Sequence, residues 1–169
     1  IVRWPGKQSG IVDDGLHYHL DWAPTCIELI GHSESIPEIW DGRSFAETLN
    51  TGFDCARDDL ILSQCCHVCQ RSVRFNDAGH AWLYIRTYHD GYHLFPRDML
   101  FDLNTDPHEQ CNIAGQHPDV IHTKFPSLGV DSLDDYIKRL EDTGRAGGAA
   151  ILRDRMGSHD RLSPNYVDE

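Results

Sequence analysis

Arginine and histidine side chains are concentrated in the middle of the sequence. The cationic residues of this region are Arg71, Arg74, Arg86, His67, His89 and His93. The planar guanidinium of arginine binds two oxygens of a sulfate or phosphate group well, and histidine adds a further donor. The pattern therefore suits recognition of an anionic substrate group. For each arginine taken separately we prefer the alternative, because arginines on a sheet commonly pair with aspartates across it, here Asp58, Asp59, Asp77, Asp90 and Asp102.

A short turn follows the strand-like run that carries Arg86 and Tyr88. Alternation along a strand places these two side chains on the same face of the sheet. His89 and His93 flank Asp90-Gly91, a dipeptide typical of tight turns. Because functional groups concentrate on loops held by rigid strands, we predict that His89, His93, Arg86 and Tyr88 bind substrate. The alternative is a solvent-exposed hairpin without a partner.

A C-x-x-C pair lies just before this region. Cys66 and Cys69, with His67 between them, supply half of a tetrahedral zinc site, and no second pair follows at a matching spacing. We therefore predict that these cysteines pack as small apolar side chains and that the chain binds no stoichiometric zinc. A redox role would place the pair at the start of a helix. The bunched cysteines also do not suggest a regular disulfide framework.

His19 and Asp21 lie two residues apart, a spacing compatible with metal binding or acid/base chemistry. Asp21 also lies where a helix N-cap is expected, and capping is the interpretation we prefer. Ala23, Ile27 and Ile30 then recur at helical spacing and predict the buried face of a helix.

Four runs rich in apolar and aromatic residues predict strands, separated by turn-forming residues. The runs are Leu60–Ser63, Ser72–Phe75, Trp82–Thr87 and Met99–Leu103. Their short connections favour an antiparallel meander. Residues 120–140 follow as a helical pattern interrupted near Pro126 and Gly129, and residues 144–169 form a polar tail.

Composition limits the classes of partner. The 169 residues carry 27 acidic and 15 basic side chains, a formal net charge of -12. Binding to a nucleic-acid backbone depends on neutralising phosphates with lysine and arginine, so no nucleic-acid partner is predicted. No apolar run approaches the roughly 20 residues that a membrane-spanning helix requires, so no membrane partner is predicted either.

Four segments together resemble the carboxy-terminal part of a sulfatase. They are IVRWPGK at 1–7, HLDWAPTCIELIG at 19–31, WDGRSFAETL at 40–49 and YIRTYHDGYHLFPRDMLFDLNTDPHEQ at 84–110. They occur in the order and rough spacing that the family uses, from Ile1 to about Ala114. No single segment is specific, but four in sequence are hard to obtain by chance.

The resemblance implies an α/β fold of the alkaline-phosphatase and sulfatase type. This chain would be mainly the C-terminal subdomain, a small four-stranded antiparallel sheet with packed helices. Family members use a divalent cation, usually calcium, and a formylglycine made from cysteine in a C-x-[PA]-x-R motif. None of the six cysteines here has that setting. The resemblance therefore places no catalytic residue and no metal ligand on this chain, and it places both cofactors on residues upstream of Ile1.

The same resemblance predicts a division into four parts. Residues 1–31 would be the last strand and helix of the large sulfatase domain, with Ile1 and Val2 ending a buried strand. Residues 32–59 would connect, 60–143 would form the antiparallel subdomain, and 144–169 the tail. The expected partner is the rest of the sulfatase polypeptide, preceding Ile1. The expected role is to close one side of the pocket for a sulfate-ester substrate, so this chain alone is predicted to be inactive.

Two other functions stay open at this point. A phosphodiesterase or phosphonate hydrolase of the same superfamily would share this part of the sequence. A free-standing acidic binding module is the second alternative. The identity of the ester, the oligomeric state and the cellular compartment, cytoplasmic or periplasmic, are not determined by these residues.

Overall fold

The chain forms two compact units, Ile1–Leu60 and Ile61–Glu169. The structure is a computed structural model, and it describes residues 1–4, 10, 12–52, 57–65, 68–91, 93–129, 133–142, 144, 149–150 and 153. A search of these residues for a helix long and apolar enough to cross a membrane finds none. The predicted boundaries at 31, 59 and 143 stay predictions.

The first unit is built from short helices joined by loops. Its helical elements are a 3-10 turn at His19–Asp21, helix α1 at Trp22–Leu29, a 3-10 turn at Ser33–Ser35 and helix α2 at Ala46–Thr51. Gly52 ends α2 in the left-handed conformation, with a φ of 76°. Leu16 forms an isolated antiparallel bridge with Arg57, which closes the unit.

The buried face of α1 differs from the predicted one. Pro24 and Thr25 are the buried residues of this helix, whereas Ala23 is exposed and Ile30 is 68% exposed. The cause is a polar contact: the Thr25 hydroxyl donates to the Asp21 carbonyl at 2.6 Å and accepts from the Phe45 N–H at 3.0 Å. These hydrogen bonds turn the threonine side of α1 inward. The apolar stripe that the spacing predicts as core is therefore wrong for this chain.

Ile1 and Val2 also differ from the prediction of a buried strand end. Both are exposed, and neither belongs to a strand in the described part of the chain. A buried strand needs neighbours on both sides, and no described strand pairs with residues 1–4. Residues 5–9, which include most of the WPGK motif, lie outside the described residues.

Asp21 connects three loops of the first unit. Its buried carboxylate accepts hydrogen bonds from the Tyr18 N–H and the Arg43 N–H, each at 2.7 Å, and from the Arg57 side chain, whose Nε lies at 3.2 Å. Asp21 occupies the N-cap position of α1, as predicted, but its side chain makes no capping hydrogen bond to that helix. The carboxylate instead reaches back to the residue before its own 3-10 turn.

The electrostatics of Asp21 follow from these partners. Burial alone would raise its pKa, but the hydrogen bonds from Arg57, Arg43 and Tyr18 and the charge of Arg57 outweigh burial and lower the pKa. The carboxylate therefore stays ionised inside the unit. A buried ion pair of this kind is costly to break, because the remaining charge loses its counterion.

Gly42, the glycine of the WDG motif, lies where the structure has no room for a side chain. A Cβ at this position would lie 2.3 Å from the carbonyl oxygen of Leu20 and 3.2 Å from the ring of Pro24. The neighbouring atom is backbone, which cannot turn aside. Only glycine allows the connecting loop to pass this close to the start of α1.

A four-stranded sheet follows, as the sequence predicts. Its strands are β1 at Asp59–Cys65, β2 at Cys69–Asp77, β3 at His80–His89 and β4 at Asp98–Asp102, in the spatial order β1-β2-β3-β4. The pairs β2–β3 and β3–β4 are antiparallel. Ala78 and Gly79 connect β2 to β3 with φ angles of 47° and 83°, the geometry of a tight hairpin turn.

The helices after β4 also match the predicted interruption. They are a 3-10 turn at Ala114–Gln116, helix α3 at Pro118–Lys124, a 3-10 turn at Phe125–Leu128 and helix α4 at Leu133–Asp142. Gly129 ends the second of these turns with a φ of 71°. Most of the predicted tail at 144–169 lies outside the described residues.

Apolar side chains bury both faces of the sheet in the second unit. The helix-covered face carries Val73, Phe75, Trp82, Tyr84 and Leu100, which pack with Ala114 and Leu128. The opposite face carries a smaller cluster of Leu83, Met99 and Phe101. A third cluster joins Cys69 and Tyr88 to residues of α4. Packing of Cys69 in this core agrees with the apolar role predicted for it.

Two polar side chains, Asp106 and Asn112, organise the segment after β4. The Asp106 carboxylate accepts the N–H groups of Gln110 and Cys111 at 3.0 and 2.8 Å. Asn112 then accepts the Leu100 N–H at 3.0 Å and donates to the Asp98 carbonyl at 3.1 Å. Asp106 thus folds the loop back on itself, and Asn112 satisfies backbone groups of β4.

Candidate functional site

The loop between β3 and β4 carries exposed side chains, and backbone hydrogen bonds hold its two ends. At its ends the Thr87 N–H donates to the Arg97 carbonyl at 2.8 Å, and the His93 N–H donates to the Asp90 carbonyl at 3.0 Å. Residues 93–97 are all exposed, and we call them the HLFPR loop. Tyr92 lies outside the described residues.

The HLFPR loop combines apolar exposure with backbone strain. Leu94 is 67% exposed, and its φ is 55°, which is unfavourable for a branched aliphatic residue. The rings of His93 and Phe95 pack together with centroids 5.6 Å apart. Strained conformations and exposed apolar groups both concentrate at binding loops. Arg97 adds an exposed positive charge at the end of the loop.

His89 and Asp90 lie beneath this loop rather than at its surface. They are 5% and 1% exposed. Nδ1 of His89 accepts a hydrogen bond from the Gly91 N–H at 3.1 Å, which fixes the start of the turn. Of the two histidines predicted to flank the turn, only His93 is accessible.

Arg86 and Tyr88 lie on one face of β3, as the alternation predicts, but that face is covered by helices. The Arg86 guanidinium donates to both oxygens of Asp98 at 2.8 Å and stacks on Phe125 at 4.9 Å from the ring centre. The Tyr84 hydroxyl also donates to Asp98, at 2.7 Å. Cross-sheet pairing of Arg86 with an aspartate therefore occurs, through a residue that the sequence interpretation did not single out.

Tyr88 is part of the core beside α4. Its ring stacks on Tyr136 with centroids 5.5 Å apart, and burial raises the pKa of Tyr88 to about 12. The hydroxyl therefore stays protonated across the physiological range. The structure thus brings Arg86 and Tyr88 together inside the second unit and places His93 outside on the loop. The substrate-binding role predicted for the four residues stays a prediction.

The other candidates from the sequence have separate positions. Arg74 donates to the carbonyls of Phe75 and Trp82 at 3.0 and 3.2 Å. Cys66 and His67 lie outside the described residues, so the absence of zinc stays a prediction. Within the described ranges no group of three or more histidine, cysteine or acidic side chains is arranged to hold a metal ion.

The first unit contains a cleft of 670 Å³ that the sequence interpretation missed. Its aromatic and imidazole lining is Trp4, His17, Tyr18, His19, Trp22 and Phe45. Nε2 of His17 lies 2.6 Å from the Asp13 carboxylate. A backbone hydrogen bond from Gly15 lowers the pKa of Asp13, and His17 lowers it further. His19 lies at this cleft, whereas Asp21 is bound to Arg57, so the two do not act as one acid/base pair.

The sequence interpretation singled out His93 but not the rest of the HLFPR loop, although the sequence contains one signal for it. Leu94, Phe95 and Pro96 form an apolar stretch that does not continue the alternation of β3 or begin that of β4. A proline next to an aromatic residue between two strands is typical of a shaped loop rather than a tight hairpin.

Comparison with protein-family models finds no match, and no curated protein is significantly similar in sequence. Solved structures do match. A sulfatase from Bacteroides thetaiotaomicron, reported with the metabolism of multiple glycosaminoglycans, is 21% identical with a TM-score of 0.55, over 72% of this chain and 27% of that chain. A protein solved with its substrate D-glucosamine-2-N,6-O-disulfate is 18% identical with a TM-score of 0.52, over 72% of this chain and 24% of its own.

These likenesses establish the fold. The described part of the chain, with its four-stranded sheet and packed helices, has the fold of a sulfatase-like C-terminal subdomain. The chain spans only 27% and 24% of the lengths of the two structures it matches.

Proposed function

We propose that this chain is the C-terminal portion of a sulfatase, which hydrolyses sulfate esters as a complete polypeptide. The observation that carries the proposal is the shared fold of the sheet and helices, together with the four sequence segments in family order. The nucleophile belongs to another part of the polypeptide, since no cysteine here lies in a C-x-[PA]-x-R motif.

The family's divalent cation and formylglycine would likewise be held elsewhere. The described residues contain no group of three or more histidine, cysteine or acidic side chains that could hold a cation, and the oxygens of three described carboxylates already have other partners. Asp21 binds Arg57 and two backbone N–H groups, Asp98 binds Arg86 and Tyr84, and Asp106 binds the backbone of its own loop. No step of sulfate hydrolysis is assigned to these residues.

In this proposal the HLFPR loop forms part of the closing side of the substrate pocket. His93 and Phe95 offer a ring surface on which a sugar or aryl group can stack, and Arg97 offers a charge for an acidic substituent. Such contacts act at a distance from the sulfur atom. They contribute binding energy that the complete enzyme uses for orientation.

The other three predicted residues support the loop from within. Arg86 fixes Asp98 at the start of β4, and His89 fixes Gly91 at the turn. Tyr88 anchors the end of β3 against α4. In the proposal His93 touches the substrate, and these three residues hold the loop in position.

The test compares the complete polypeptide, with its nucleophile cysteine converted to formylglycine, with this chain expressed alone. We expect the complete protein to hydrolyse a chromogenic aryl sulfate faster than it hydrolyses an aryl phosphodiester or phosphonate ester. The chain alone should show no turnover above buffer. Turnover of the sulfate by the purified chain, or a preference of the complete protein for the phosphorus esters, would refute the proposal.

A further inference from the structure

The cleft of the first unit has aromatic walls that are packed on a buried ring. Phe45, which is 7% exposed, contacts the imidazole of His17 with ring centroids 4.8 Å apart. Phe45 also contacts Trp22 at 4.9 Å in an edge-to-face arrangement. Trp22 itself is 37% exposed and lines the cleft. Because His17 and Trp22 pack on the same phenylalanine, the cleft presents ring surface at a defined place.

A carboxylate fixes the orientation of His17. Nε2 of His17 lies 2.6 Å from one oxygen of Asp13, whose other oxygen accepts the Gly15 N–H at 2.9 Å. A carboxylate accepts hydrogen bonds, so Nε2 carries the proton of the neutral ring and Nδ1 keeps its lone pair. No hydrogen bond to Nδ1 occurs within the described ranges, and the His17 side chain is 24% exposed. Nδ1 is therefore an acceptor that a ligand in the cleft can use.

Size and charge limit what the cleft can hold. Its volume of 670 Å³ lies within the range of small-molecule sites, roughly 300–1,000 Å³. Asp13 stays ionised, since the Gly15 N–H lowers its pKa, and Arg3 brings the opposite charge to the lining. A neutral ring therefore suits this lining better than an ion of either sign. Because the acceptor on His17 needs a donor, the ring should carry a hydroxyl group.

We infer that this cleft is a binding site for an uncharged ring that carries a hydroxyl group, such as a sugar or a phenol. The ring would stack on Trp22, and its hydroxyl would donate to Nδ1 of His17. In this arrangement His17 touches the ligand, and Asp13 is a positioning residue that holds the imidazole. The inference does not rest on the proposed function, because the cleft lies within the first unit and the HLFPR loop belongs to the second.

NMR titration of the full chain, followed at the backbone and indole N–H groups, tests the inference. The hydroxyl probes are methyl β-D-glucopyranoside and phenol. Each has a matched probe that keeps the ring but cannot donate, namely the fully methylated glucoside and anisole. A response to the glucoside alone identifies a sugar site, and a response to phenol alone identifies a site for aromatic alcohols.

The four tryptophans locate the binding. We expect saturable shifts of the Trp4 and Trp22 indole signals, because both rings line the cleft. Trp40, which is 42% exposed but does not line the cleft, is the matched reference and should not shift. Trp82, which is buried in the second unit, should not shift either.

Matched variants separate a direct contact from a structural role. The wild type should bind the hydroxyl probe roughly fivefold or more tightly than its methylated partner, because the methylated probe leaves Nδ1 unpaired. His17→Phe keeps a ring against Phe45 but removes the acceptor, so it should bring this ratio to about one. His32→Phe removes a histidine that pairs with Glu34 at an exposed position, and it should leave the ratio unchanged.

Asp13 is tested by rescue. Asp13→Ala releases the imidazole and should lower the ratio between the hydroxyl and methylated probes. Asp13→Asn, whose side-chain oxygen can still accept from Nε2 of His17, should restore part of it. A purely structural role of Asp13 would change the affinity for both probes equally and leave the ratio as in wild type.

The same comparison applies to the complete polypeptide. Ligand-observed NMR should show the hydroxyl probe bound by wild type and bound more weakly by His17→Phe. The inference would be overturned by the absence of saturable shifts for both hydroxyl probes or by equal wild-type affinity for a hydroxyl probe and its methylated partner. An unchanged ratio in His17→Phe, or loss of binding in the complete polypeptide, would overturn it as well.

Discussion

The two units of this chain are stabilised by different interactions. In the second unit, the sheet and its helices bury three clusters of apolar side chains among the described residues. Among the described residues of the first unit the buried apolar side chains are few, namely Leu16, Pro24, Phe45 and Ala46. Nine of the large apolar side chains that lie exposed in the described ranges belong to the first unit, namely Ile1, Val2, Trp4, Val12, Leu20, Trp22, Ile30, Ile39 and Trp40.

Polar contacts take the place of an apolar core in the first unit. The carboxylate of Asp21 joins residues as far apart as Tyr18 and Arg57, and the hydroxyl of Thr25 joins α1 to the start of α2. These bonds are directional, so a single substitution removes several of them at once. An apolar core is instead additive over many contacts. The comparison therefore predicts that truncating an apolar side chain lowers the free energy of unfolding more in the second unit, whereas removing a polar contact lowers it more in the first.

The largest effect is expected in the apolar core. Leu100→Ala removes a side chain that is 0% exposed between β3 and the helices. It should lower the free energy of unfolding by roughly 4 kcal/mol, the usual cost of such a cavity. Ile30→Ala is the matched control in the first unit, where the side chain is 68% exposed, and it should cost less than about 0.5 kcal/mol. Urea denaturation measures both, and similar losses would remove the contrast between the units.

The next effect concerns the polar centre of the first unit. Asp21→Asn keeps the size of the side chain but leaves the Arg57 guanidinium without its counterion. We expect a loss of about 3 kcal/mol, because breaking a buried ion pair leaves an uncompensated charge. Hydrogen exchange should show the loss in residues 12–52 and spare β2 to β4. Asp14→Asn, at an exposed position, is the control and should change little; an equal loss there would argue against the role of Asp21.

A smaller effect is expected at the glycine of the WDG motif. Gly42→Ala places a methyl group 2.3 Å from the Leu20 carbonyl oxygen, so the loop must shift. The cost should be about 2 kcal/mol, typical of overpacking against rigid neighbours. Gly115→Ala is the control, since no atom lies within 4 Å of the added carbon. The melting temperatures of the two variants give the comparison, and a neutral Gly42→Ala would show that the loop is free to move.

The smallest effect is a pH dependence in the second unit. The His80 side chain lowers the pKa of Asp102 below its ordinary value, with help from the Asn104 N–H, and Nδ1 of His80 lies 2.8 Å from the carboxylate. A lowered pKa means that the stabilisation is present above the unfolded pKa, near 3.9, and is lost as the pH falls through the folded pKa. Asp102→Asn should therefore cost less than about 1 kcal/mol at pH 6, and the cost should be smaller at pH 2. Equal costs at both pH values would assign the effect to packing.

Sequence patterns predict the second unit better than the first for a physical reason. The alternation in β2 to β4 and the stops at Pro126 and Gly129 are local signals, and the apolar core reinforces them. The buried face of α1 depends on Thr25 and on a contact with Phe45, twenty positions along the chain. Such long-range polar contacts leave no periodic signal. For the same reason the sequence does not reveal the ion-pair partner of Arg86, because Asp98 lies on another strand.

The candidate site shows the same limit. The sequence indicates that functional groups surround the Asp90-Gly91 turn, and His93 is exposed there. It does not show that His89 points inward or that helices cover Arg86 and Tyr88, because burial of one sheet face depends on α3 and α4. The cleft beside His17 is lined by residues that range from Ile1 to Leu49, and no local pattern predicts that assembly.

Substrate selectivity of the complete enzyme tests most directly whether the HLFPR loop borders the substrate pocket. We expect His93→Ala to lower kcat/KM for a bulky sulfated sugar roughly tenfold, or about 1.4 kcal/mol, more than for a minimal aryl sulfate. His108→Ala, at an exposed position on the next loop, should leave the ratio unchanged. Small and equal effects of His93→Ala on both substrates, with the fold retained, would contradict the account and place the HLFPR loop outside the substrate pocket.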